Sequence, residues 1–103
     1  MQTDKKNNSI RQIPRPEIKI SGQNTILTYH PASFYDLHIV VRQISEIINN
    51  IAVGSEIFSI KRGVTLQAIK SDDSESGLVL KFQIPKRIND MSLIGQAIDV
   101  SQT

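Results

Sequence analysis

Between Phe34 and Ile51, apolar side chains recur at Phe34, Leu37, Val41, Ile44, Ile48 and Ile51, in steps of three and four. Those steps return side chains to one face of an α-helix and to no single face of a strand. Val40 and Ile47 widen the face, while His38, Arg42, Ser45, Glu46 and Asn49 fall mostly on the other side. Ser33, three residues ahead of Asp36, predicts a capped start, and Asn49-Asn50 with Gly54 predicts the stop. The spacing therefore predicts a helix of about 16–19 residues that must lay its apolar side on another layer.

The other layer is predicted to be a sheet. Glu17–Ile20 alternates polar and apolar residues, Ser21-Gly22-Gln23-Asn24 is turn chemistry, and Thr25–Tyr29 carries β-formers, so residues 17–29 read as a hairpin. Three strands are expected after the helix: a short one at Glu56–Ile60, a second after a tight Lys61-Arg62-Gly63 turn, and a third at Leu78–Ile84. In the last, Leu78, Leu80, Phe82 and Ile84 alternate with Val79, Lys81 and Gln83, and Pro85 ends the run. Ile88, Met91, Ile94 and Ile98 suggest a short final helix opened by Asn89 or Asp90. The expected fold class is α+β, two layers: an antiparallel sheet of about five strands with one long amphipathic helix on one face, in the order ββαβββ, then the short helix.

With 103 residues the chain holds one ordinary domain. Apolar residues make up 39% of it, enough for a core. The domain is expected over residues 17–100. Residues 1–16 are polar and end in Pro14 and Pro16, and so read as a flexible basic arm. The chain has no cysteine, which excludes disulfides, thiolate metal sites and cysteine nucleophiles. No apolar run approaches the ~18 residues of a membrane span, and no signal-peptide stretch opens the sequence. A cytoplasmic protein without membrane contact is the expectation.

The net charge of +2 is unevenly placed. Residues 1–19 carry five Lys/Arg against two Asp/Glu, and residues 20–103 carry seven against eight. If the strands follow one another as a meander, Lys61, Arg62, Lys86 and Arg87 gather at one end of the sheet. The same topology brings His30, the arm and the positive end of the long helix to that end. Asp72, Asp73 and Glu75 then fall at the other. Lys61, Arg62, Lys86 and Arg87, with Arg11 and Arg15 of the arm, are the candidate anion- or partner-binding residues.

No catalytic or cofactor constellation stands out. His30, His38 and Asp36 lack a further ligand for a tetrahedral metal set, and Asp36 and His38 diverge on a helix. Ser33, Asp36 and His38 are too crowded for triad geometry. Ser71-Asp72-Asp73-Ser74-Glu75 lacks the spaced ligands and glycine of a calcium loop. There is no phosphate-cradling glycine loop. The five aromatic residues do not form a base-stacking platform. No enzymatic activity, cofactor or metal is expected.

The element order predicted over roughly residues 17–100 resembles that of the roadblock and profilin-like families of small interaction modules. That resemblance implies a dimeric scaffold for other proteins. The helix points the same way: Ile39, Val40 and Ile47 add to a stripe already wide for one small sheet face. A non-enzymatic protein–protein interaction module that associates with itself and with another protein is the first expectation. The alternative is a nucleic-acid or phosphate-binding protein that uses the basic end and the arm.

Overall fold

A computed structural model describes residues 13–72 and 77–101 of the chain. Arg11, and Asp73 and Glu75 of the acidic loop, lie outside the described residues. The fold is α+β, as expected. A four-stranded antiparallel sheet in the order β1-β2-β4-β3 carries helices on one face.

The hairpin forms where turn chemistry places it. β1 (Glu17–Ser21) pairs with β2 (Asn24–Tyr29) in a register that sets Ser21 against Asn24 and leaves Gly22-Gln23 as a two-residue turn. Gly22 has φ of 61°, the left-handed conformation that such turns need and glycine adopts without strain.

α1 (Asp36–Ile51) is the 16-residue helix that the spacing predicts. Its buried side is rotated, however. Val40, Ile44, Ile47 and Ile48 enter the core, while Phe34 remains 68% exposed and Val41 58% exposed. Two polar residues, Asp36 and Gln43, are buried in their place, each with hydrogen-bond partners. Ahead of the helix the Asp36 carboxylate accepts from the Ala32 N–H, but the expected capping by Ser33 does not form: the N-cap is Tyr35, with no side-chain capping bond. The hydroxyl of Ser33 is buried and takes no part in capping.

The principal correction concerns Glu56–Ile60, expected as a strand. It lies within a second helix, α2 (Ser55–Gly63). Ile57, Ile60 and Val64 recur at helical steps, and all three pack on or in the core. Glu56 stands in the first turn, with Lys61 and Arg62 in the last, so the charges complement the helix dipole at both ends. Lys61-Arg62-Gly63 is thus a helix end and not a hairpin turn. The sheet has four strands, and the element order behind the roadblock and profilin-like resemblance is not the one that forms.

β3 (Thr65–Lys70) and β4 (Leu78–Ile84) follow. β4 inserts between β2 and β3, pairing Leu27 with Phe82 on one side and Leu66 with Phe82 on the other. Leu27, Tyr29, Leu80, Phe82 and Ile84 face the helices and form the sheet side of the core. The rings of Tyr29 and Phe82 meet edge to face at 6.0 Å. Full burial of a residue such as Ile47 is worth roughly 1.5–3 kcal/mol, so the central strands and α1 carry most of the core.

After β4 the chain folds back over β2. Thr25 Oγ1 donates to the Lys86 carbonyl at 2.7 Å and accepts from the Ile88 N–H at 2.8 Å. This clip directs the chain toward the β1–β2 side and into α3 (Met91–Val100), whose start is capped by Asp90 through the Ser92 N–H and hydroxyl. The short helix expected here is present. It packs beside α1, and Asn50 Nδ2 donates to the Leu93 carbonyl.

Candidate interaction surface

With α2 a helix, the ends of the sheet acquire different residents from those a meander predicts. The β1–β2 turn, the start of β3 and the end of β4 share one end, since Thr25 pairs with Ile84 and Thr65 with Gln83. Gly63 abuts Pro85 so closely that a Cβ there would stand 2.7 Å from the proline Cγ. Lys61 and Arg62 therefore do lie at the same end as Lys86 and Arg87. The long helix arrives there with its C-terminus, not its N-terminus: Lys86 Nζ donates to the Ile51 carbonyl at 3.2 Å. Losing one strand from the predicted path reverses α1 relative to the basic residues. The helix start, His30 and the chain entry at residues 13–16 move together to the opposite end.

Of the candidate residues, Lys86 is engaged in structure. It pairs with Glu56 as well as with the Ile51 carbonyl at the end of α1. Arg87 donates to the Gly22 carbonyl and to Asn89 Oδ1. The Arg62 guanidinium sits 5.5 Å from the Phe58 ring centroid, in cation–π range. Lys61 is exposed. Arg15 lies at the other end, in a shallow cleft with Pro14, His30 and Asp36. The structure thus gathers Lys61, Arg62, Lys86 and Arg87 and separates them from Arg15.

Residues 13–16, assigned to the arm by sequence, are tied to the domain. Ile13 packs against the core, and Gln43 Nε2 donates to the Pro14 carbonyl at 2.6 Å. Gln43 Oε1 accepts from the buried Tyr29 hydroxyl, whose pKa burial pushes well above the ordinary tyrosine value. His30 Nε2 stands 3.6 Å from the Glu17 carboxylate, both on the outer face of the sheet. That face is a shallow concavity of about 780 Å³ containing Lys19, Lys81, Gln67 and Gln83. Among the described residues no group of three His, Cys, Asp or Glu is placed to hold a metal ion. No described helix is long and apolar enough to cross a membrane.

The surface that sequence reasoning does not single out is β3. Thr65 through Ala68 are exposed, on the helix side and the outer side alike, and Leu66 keeps 58% of its surface in solvent. Leu66 shares the helix face of the sheet with Phe82, yet no helix covers it. The reason is positional: the Thr25 clip sends α3 toward the other edge of the sheet, and α2 is only nine residues long. Val41 lies nine residues from Asn50, half a turn round α1 at about 100° per residue, and so on the flank away from α3. Val41, Phe58 and Leu66 are all more than half exposed. The sequence signal was the surplus width of the helix stripe, together with a β3 that has apolar residues at Leu66, Ala68 and Ile69.

Compared with models of known families, with curated proteins and with solved structures, the chain matches none.

Proposed function

We propose that this chain is a non-enzymatic protein–protein interaction module that associates with a second copy of itself. The observation that carries this reading is the uncovered β3 edge, on which Leu66 is more than half exposed, together with exposed Phe58 and Val41 on the helices. Scattered exposed apolar residues are ordinary, but Leu66 belongs to a strand with no neighbour in the sheet along one side. Light scattering over rising concentration tests the reading. A mass approaching twice that of the chain at high micromolar concentration is expected. A monomer throughout overturns it.

Nucleic-acid or phosphate binding is the second reading, supported by the gathering of Lys61, Arg62 and Arg87 at one end of the sheet. Under this reading an oligonucleotide binds at low salt and is released steeply as salt rises, and charge reversal at Lys61 and Arg62 abolishes binding. Lack of retardation at low salt removes it.

A further inference from the structure

The geometry points to antiparallel pairing of β3 with β3 of a second copy, about a two-fold axis through Gln67, as the contact that holds two chains together. This rests on the self-association proposed above and names its surface.

Sheets have two edges, and here they differ. β1 carries Glu17 and Lys19 within the strand, and charges on an edge are a common guard against pairing. β3 carries one charge, Lys70 at its last position, and from Thr65 to Ile69 it has no charge, no proline and no bulge in its pairing with β4. Over those residues it offers neighbours a ladder of N–H and C=O groups.

A two-fold axis perpendicular to the sheet continues it from four strands to eight and keeps the helices of both copies on one side. Side chains of opposed residues must then share a face, so each residue meets one of the same parity. With Gln67 on the axis, Leu66 of each copy faces Ala68 of the other and Lys70 faces Val64. A shift to Leu66 on the axis would set Lys70 toward Arg62 of the other copy, like charge on like charge.

The charges at the strand ends favour this occupant. Antiparallel pairing brings the entry to β3 in one copy beside its exit in the other. The entry follows Lys61 and Arg62, and the exit leads past Lys70 into Asp72. With Gln67 on the axis, Arg62 of each copy comes opposite Asp72 of the other, a complementary pair that the symmetry supplies twice. A specific interface must bury roughly 1,000 Å² or more, which a six-residue strand alone does not reach. Exposed Val41, on the flank of α1 away from α3, and exposed Phe58 of α2, the helix that leads into β3, are the apolar surface this pairing calls on beyond the strand.

Gln67→Cys gives a chain with a single cysteine, because the native sequence has none. A residue on the axis meets its own copy at a Cα separation of about 4.5–5.5 Å, inside disulfide range. Mild oxidation is expected to convert Gln67→Cys to a covalent dimer while Gln83→Cys, on the same face of an interior strand, remains uncrosslinked. Arg62→Asp is expected to lower dimer formation at least several-fold, and Arg62→Asp with Asp72→Arg to restore it. Equal crosslinking at both cysteine positions, or no restoration by the charge exchange, overturns the pairing. If light scattering of the native chain still shows a dimer, only this interface fails; a native monomer removes the self-association itself. Circular dichroism of each variant confirms that it is folded.

Discussion

The Tyr29 hydroxyl donates to Gln43 Oε1 at 2.9 Å, and neither residue has solvent-exposed surface. Gln43 passes the connection on, its amide nitrogen donating to the Pro14 carbonyl. One buried amide thus joins the sheet, α1 and the chain ahead of β1. Gln43→Leu strands the phenol and the carbonyl together. The expected loss is about 1–3 kcal/mol in chemical denaturation, since a buried polar group without a partner keeps its desolvation cost. Tyr29→Phe is expected to cost less than Gln43→Leu, and the double variant less than the sum of the two.

Stability at alkaline pH follows from the same tyrosine. Its folded pKa is raised by burial, so the unfolded chain gives up the phenol proton first as pH rises. Below the unfolded value of about 10 this contribution to stability is complete, and it falls as pH climbs from there toward the folded pKa. Midpoints of denaturation measured from neutral to strongly alkaline pH should decline, and Tyr29→Phe should flatten that decline. Equal slopes for the two proteins would show that Tyr29 does not titrate with unfolding.

Gly63→Ala tests the junction between α2 and the end of β4. A methyl there meets the ring of Pro85, which cannot rotate away. Overpacking of this kind costs about 1–3 kcal/mol, although alanine is the better helix former. A more stable Gly63→Ala protein would mean that α2 does not rest against Pro85.

Thr25→Val keeps the side-chain shape and removes both bonds of the clip. The Ile88 N–H is then buried without its partner, and a loss of about 1–3 kcal/mol is expected. The same variant should loosen Lys86 and Arg87, seen as faster amide exchange from Lys86 to Asn89 than in the native chain.

Local pattern made much of this fold legible. The three-and-four spacing marks α1, Gly22 marks the hairpin, and the alternation from Leu78 to Ile84 marks β4. What escaped depends on partners distant in sequence. Gln43 reads as a polar surface residue until Tyr29 and Pro14 are seen to satisfy it, and its burial turns Val41 and Phe34 outward. Ser55–Gly63 is short enough to fit either period, and only Ile57, Ile60 and Val64 together with the end charges favour the helix. That one element decided which end α1 points to, and with it whether Arg15 could join Lys61 and Arg62. The basic residues were legible as types. The bare edge of β3 was not, because it exists only through β4 taking the central place.

The central claim is that β3 is covered by β3 of another copy, and amide exchange along that strand tests it most directly. At high concentration the amides from Leu66 to Ile69 should all exchange slowly, and dilution should release those directed away from β4, while the outward amides of β1 exchange alike at both concentrations. Outward β3 amides that exchange quickly at every concentration would contradict the account.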